Sequence, residues 1–218
     1  MHVKVLYEDN HSIAVVKPAG FLSQGDNTGN MSIFGEVKKY LKEKYKKPGN
    51  VYLGLVHRLD RPVSGIILFA KTSKGAARLS EQFRNHHIEK IYHALVLVKP
   101  PKSKGVLIHH LIKDEKLRKG REKSSGKQAV LYYEVVTFSG KYSLLKIKIE
   151  GGQFHQIRSQ LSLAGFPIIG DIKYGGETWG DDKTIALCAT RLSFHTATTD
   201  TRVTLSIEIP KEWEKYVR

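Results

Sequence analysis

His57-Arg58-Leu59-Asp60-Arg61-Pro62-Val63-Ser64-Gly65 runs into Ile66-Ile67-Leu68-Phe69-Ala70, and the rest of the chain is organised around this stretch. Five consecutive apolar residues predict a strand buried on both faces. Proline and glycine punctuate the loop before it. A loop feeding such a rigid strand is a good place to hold a reactive group. Asp60 sits between Arg58 and Arg61, and neighbouring cations favour an ionised carboxylate. Taken alone, the same residues also fit a surface salt bridge at the start of a strand.

Working outward, 218 residues hold 36 Lys and Arg against 21 Asp and Glu, a formal charge of +15. That excess speaks of partners rather than fold. Nucleic acid is the commonest polyanion that explains it, and an anionic membrane surface is the competitor. One cysteine, Cys188, excludes an internal disulfide framework and a cysteine-rich zinc site. No apolar run approaches membrane-spanning length, and no signal-peptide block opens the chain. The expectation is a cytoplasmic, soluble monomer with no membrane association.

Upstream of Asp60, Val3 to Leu6 and Ser12 to Lys17 read as strands, stopped by Lys17-Pro18-Ala19-Gly20. Gln24 to Asn30 is loop, too poor in carboxylates for calcium. Ser32 caps a helix whose apolar stripe is Ile33, Phe34, Val37, Tyr40 and Leu41. Its lysine-rich surface is read as solvated.

Downstream, Thr72 or Ser73 caps a second helix that reaches about His86. Ile88 to Val98 is a long strand placing Lys90, Tyr92, Ala94 and Val96 on one face. Lys113 to Lys127 carries seven basic and three acidic residues and is read as a mobile basic loop. Ala129 to Phe138 and Tyr142 to Ile149 form a hairpin. Gly151-Gly152 leads into a helix from Gln153 to Ala164, closed by Gly165, with Arg158 free to leave the core stripe. Trp179 is read as a packed aromatic, and Ile185 to Phe194 and Arg202 to Ile209 complete the sheet. No Walker loop, dinucleotide fingerprint or metal signature is present.

With these pieces assembled, the chain resembles the RluA-type pseudouridine synthases from about Val3 to Pro210. Lys17-Pro18-Ala19-Gly20 is similar to the family's first motif and His57 to Gly65 to its catalytic motif. Lys90-x-Tyr92 resembles its Lys-x-Tyr strand, and His155-Gln156-Ile157-Arg158 with Gly170-Asp171 and Tyr174-Gly175 resembles its HQIR helix and GD..YG loop. Val63 stands where relatives often carry Thr, and Gly151-Gly152-Gln153 replaces a Thr-Gly-Arg step. The small N-terminal RNA-binding domain of many relatives is expected to be missing.

The resemblance implies an α+β fold: a mixed, largely antiparallel sheet with flanking helices and a central basic catalytic cleft. One catalytic domain spans 1–218, with two subdomains sharing one sheet. It implies an RNA isomerase that turns a uridine of ribosomal or transfer RNA into pseudouridine after base flipping, without metal, nucleotide or other cofactor. Asp60 is the implied nucleophile or base, Arg158 its ion-pair partner and Tyr92 the residue stacked on the base. His57, Arg58, Leu59, Lys90, His155, Gln156, Ile157 and Leu187 are the implied substrate-binding residues, Arg58 filling the gap left by the flipped uridine. The alternative is a non-catalytic RNA-binding or ribosome-assembly protein that kept the fold.

Overall fold

A computed structural model describes residues 2–25, 30–179 and 184–217. Most of the expected loop at Gln24–Asn30 therefore lies outside the described residues. The chain divides into two compact units, Met1–Glu89 with Arg191–Ile207, and Lys90–Thr190 with Glu208–Arg218.

The first unit contains β1 (Val5–Glu8), β2 (Ser12–Lys17), α1 (Ile33–Lys44), β3 (Gly54–Leu55), β4 (Ser64–Ala70), α2 (Ser73–Arg84) and β11 (Arg202–Ser206). It also takes the last five residues of β10 (Leu187–His195). Its strand order is β1-β2-β4-β10, with β11 on β10 and β3 on β4. β2 runs antiparallel to β4 from Ser12↔Ala70 to Lys17↔Gly65. Alternation along β4 explains its all-apolar composition. Ile66, Leu68 and Ala70 join Leu79 of α2 in one cluster, while Phe69 meets Phe34 of α1 edge-on at 5.9 Å. Both helices start where their sequences predict. The Ser32 and Thr72 hydroxyls accept the Gly35 and Gly75 amides, satisfying donors that a helix start leaves open.

The second unit contains β5 (Glu89–Leu97) from Lys90 on, β6 (Lys104–Asp114), β7 (Lys119–Glu122), β8 (Lys127–Ser139), β9 (Tyr142–Glu150), α3 (Gln156–Leu163) and the start of β10. The order is β10-β5-β9-β8-β6-β7. The β5–β9, β8–β9, β6–β8 and β6–β7 pairings are all antiparallel. Tyr92, Ala94 and Val96 are buried on one face of β5, as expected, and Ile91 and Leu95 are buried on the other. Trp179 packs edge-on against Trp213 and Tyr216. The fold is α+β, a mixed, largely antiparallel sheet with few helices. No helix among the described residues is long and apolar enough to cross a membrane.

The expected loop at Lys113–Lys127 is corrected: it holds the end of β6, all of β7 and the start of β8, joined by short turns. β6 continues to Asp114 and β7 returns from Lys119 in antiparallel register, Asp114↔Lys119. The charges concealed the pairing, because a strand exposed at a sheet edge needs no apolar alternation.

Candidate active site

Asp60 lies in a loop clamped from both sides. Ser23 Oγ donates to the Leu59 carbonyl at 2.6 Å and accepts the Leu59 amide at 3.0 Å. Lys17, 0% exposed, reaches the carbonyls of Pro18, Phe21 and Arg61 at 3.0, 2.8 and 3.1 Å. The Gly20 amide adds a bond to the Arg61 carbonyl, and the Val63 amide closes a turn on that of Asp60. The Lys17-Pro18-Ala19-Gly20 motif thus acts as a brace for the Asp60 loop. Burying an ammonium is costly, and three carbonyl partners offset that cost here.

The flanking residues divide by role. Leu59 is buried, Asp60 half-buried and Arg58 exposed. Arg61 does not serve as the local counter-charge its position suggested: its Nε donates to the Gly20 carbonyl at 3.0 Å and its Nη2 lies 3.5 Å from Asn30 Oδ1. His57 Nε2 accepts the Leu68 amide at 2.9 Å, so that nitrogen carries no proton, and its ring stacks on Phe83 at 4.6 Å. His57 therefore braces the loop against β4.

In the second unit α3 presents the other expected residues. His155 precedes the helix in the left-handed region, with φ 53 and ψ 29, uncommon for a residue with a side chain. That conformation starts the helix at Gln156, three residues later than the apolar stripe suggested. Gln156 Oε1 accepts the Gln153 amide and its Nε2 donates to the Val130 carbonyl. The helix ends in a Schellman motif: the Gly165 amide bonds the Ser162 carbonyl, the Phe166 amide bonds that of Leu161, and Gly165 has φ 86.

Arg158 is buried rather than turned outward. Its Nε and Nη2 donate to Asp171 Oδ2 and Oδ1 at 2.7 and 2.8 Å, a bidentate pair with side chains 6% and 1% exposed. Its guanidinium carbon also stands 5.0 Å from the centre of the Tyr174 ring. Tyr174 accepts the Gly120 amide at 2.6 Å and shares a hydrogen bond with His155 Nδ1 at 3.0 Å. Burial raises the pKa of the phenol. Ile157 and Leu187 are buried apolar residues.

Lys90 and Tyr92 project from β5, Tyr92 buried. The Lys90 ammonium donates to the Gly151 carbonyl, and burial lowers its pKa to about 8. The glycine pair before α3 therefore turns a carbonyl toward a cation. Among the described residues, no group of three or more His, Cys, Asp or Glu converges in a way that would hold a metal ion.

The structure gathers His57, Arg58, Leu59 and Asp60 in one braced loop. It places Lys90, Tyr92, His155, Gln156, Ile157, Arg158 and Leu187 in the second unit. Sequence reasoning missed Lys17, Asp171 and Tyr174 as supports. All three stand in short motifs of the sequence, and the Gly170-Asp171 step close before Tyr174-Gly175 was the available signal.

A family model described as RNA pseudouridylate synthase matches residues 11–163. The ribosomal large subunit pseudouridine synthase C of Rickettsia typhi is 32% identical over 181 residues, covering 79% of this chain and 56% of that protein. The chain thus spans about half the length of that relative. The tRNA pseudouridine synthase C of Haemophilus ducreyi is 31% identical over 235 residues, covering 98% of this chain and 94% of that protein. Human RNA Pseudouridylate Synthase Domain Containing 4 superimposes with a TM-score of 0.80 at 21% identity, over 97% of this chain and 90% of that one, a likeness of fold. With the family match extending over most of its length and the HRLD, Lys-x-Tyr and HQIR motifs in order, the chain belongs to the RNA pseudouridylate synthase family.

Proposed function

We propose that the protein is an RNA pseudouridine synthase acting on uridines of structured ribosomal or transfer RNA. The observation that carries this reading is the braced loop: a carboxylate at Asp60, held by Lys17 and Ser23 at the entrance of a doubly buried strand. The names of the relatives divide between ribosomal and transfer RNA, and both supply candidate substrates.

On this reading the N1–C1′ bond of uridine breaks, the base turns, and a C5–C1′ bond forms. The C5 proton leaves and N1 gains one, so atoms and electrons balance within the nucleoside. Asp60 supplies the carboxylate, attacking covalently or abstracting a proton. Arg158 is its ion-pair partner, and the bidentate hold of Asp171 supports that role by fixing the guanidinium plane. Tyr92 stacks on the uracil and assists loss of the C5 proton. Arg58, exposed beside the buried Leu59, fills the place of the flipped nucleotide. Flipping costs a few kcal/mol, offset by stacking and hydrogen bonds in the pocket. Lys90, His155, Gln156, Ile157 and Leu187 shape and floor that pocket, and His57 and Leu59 hold its loop. The enzyme works as a monomer in the cytoplasm.

The test is tritium release from RNA labelled at uridine C5, using ribosomal and transfer RNA transcripts in parallel. Asp60→Asn should abolish release and retain RNA binding. No release by the wild type from either RNA class would instead favour a binding or assembly protein that kept the fold.

A further inference from the structure

The charges of the β6–β7 hairpin are not equivalent. Arg121 donates to Asp114 Oδ2 at 2.9 Å, and Lys113 pairs with Glu115 at 2.7 Å. Lys119 keeps different company. Gly120 is pinned by its amide to the Tyr174 phenol. A Cβ at Gly120 would collide with Ser159 Oγ and the Phe154 carbonyl, so β7 lies tight on the start of α3. This close approach delivers Lys119 Nζ to 5.7 Å from the centre of the Tyr174 ring, the ring that also carries Arg158.

Lys173 comes from the residue just before Tyr174 and is half-buried. Its pKa is lowered, first by burial and then by the positive charges of Arg158, Lys119 and Arg118. Lys119 and Arg158 therefore share one aromatic ring, and Lys173, next in the chain to Tyr174, feels their charge and that of Arg118. The nearby carboxylates are committed elsewhere: Asp171 to Arg158, Asp114 to Arg121, Glu115 to Lys113. Among the described residues, no carboxylate lies within ion-pair distance of Arg118, Lys119 or Lys173. Asp171, paired with Arg158, offsets only part of this charge at Lys173; the excess like charges repel one another, and an incoming anion relieves that repulsion.

We propose that Arg118, Lys119 and Lys173 seat one backbone phosphate of the RNA, beside Tyr174 and Arg158. The proposal rests on the reading of the chain as an RNA-modifying enzyme and adds where the strand's phosphate is gripped. Two short arms from different segments, held by the Tyr174 hydrogen bond, make this a fixed seat rather than a diffuse basic surface.

The experiment measures binding of a uridine dodecamer across a range of potassium chloride concentrations. In Lys119→Gln/Lys173→Gln, affinity should fall about tenfold. The slope of log K against log salt should shrink by about 0.7, the share of one phosphate on a single strand. Lys119→Arg/Lys173→Arg should restore the slope, separating charge from packing. A matched control, Lys39→Gln/Lys42→Gln on the exposed side of α1, should leave it unchanged. An unaltered slope in the first variant, or an equal change in the control, overturns the seat. Displacement of the dodecamer by inorganic phosphate at equal phosphate concentration would also overturn it, in favour of a free-phosphate site. Because binding is read without turnover, absence of tritium release would defeat the enzymatic reading alone and leave the salt slope to judge the seat.

Discussion

Replacing Asp171 by Asn isolates the contribution of one buried charge to the placement of Arg158. The two side chains are 6% and 1% exposed and share two charge-assisted bonds of 2.7 and 2.8 Å. Asn retains one acceptor but turns an amide N–H toward an arginine donor, so one bond is lost and the buried guanidinium loses the charge of Asp171. Removing one member of such a pair costs about 3–5 kcal/mol, and the remaining acceptor places Asp171→Asn near about 3. That is a large part of the roughly 5–15 kcal/mol that holds a domain together. Urea unfolding, followed by fluorescence of the buried Trp213 in the same unit, measures it. The companion variant Arg158→Met/Asp171→Val removes both charges and nearly keeps the volume. It should return to within about 1 kcal/mol of wild type, since apolar replacement of a whole buried pair is close to neutral. On the proposed mechanism, tritium release should be lost in the double variant, which has no guanidinium, and should fall in Asp171→Asn, where the guanidinium remains but is no longer fixed in plane. If Asp171→Asn costs less than about 1 kcal/mol and releases tritium at the wild-type rate, Arg158 is not positioned by Asp171.

Lys90, with a folded pKa of about 8 against 10.5 for the free side chain, binds fewer protons folded than unfolded between those values. Stability should therefore rise with pH across that window, by about 1–2 kcal/mol between pH 8 and 9.5; Lys90→Met should flatten the rise, and parallel curves would refute the assignment. Burial alone would raise the pKa of Glu8, but hydrogen bonds from Lys44, Lys71 and Tyr45 outweigh it and hold the carboxyl at about 2. Its contribution is complete above pH 4.5 and lost as pH falls through 2, so Glu8→Gln should cost about 2 kcal/mol at neutral pH and show a shallower acid loss. An identical acid titration of the two proteins would contradict this. Lys17→Met leaves three carbonyls without their cation, at a cost of about 3 kcal/mol. Hydrogen exchange should then accelerate at the Gly20 and Val63 amides, which close the Asp60 loop; unchanged protection there would remove Lys17 from its bracing role.

The sequence by itself determined what depends on neighbours along the chain. Ser32 and Thr72 cap their helices where a hydroxyl precedes an apolar stripe. Gly165 closes α3 because the left-handed turn after a helix suits a residue without a side chain. The run from Ile66 to Ala70 is buried on both faces because nothing along it is polar. These features are legible because hydrogen bonding within a turn and side-chain period act over a few residues. The motifs naming Asp60, Tyr92 and Arg158 were legible for the same reason, as short fixed spacings.

Only the tertiary structure decided which side chains meet. Lys17 serves a carbonyl 44 residues away, and Arg158 takes Asp171 across the end of its helix. Arg61, adjacent to Asp60, turns instead to Gly20. The stretch at Lys113–Lys127 becomes a hairpin because its partner strand supplies the hydrogen bonds that its own composition does not signal. A charged side chain settles with whichever opposite dipole or charge the folded backbone brings within about 3 Å, and that distance has no counterpart in separation along the chain.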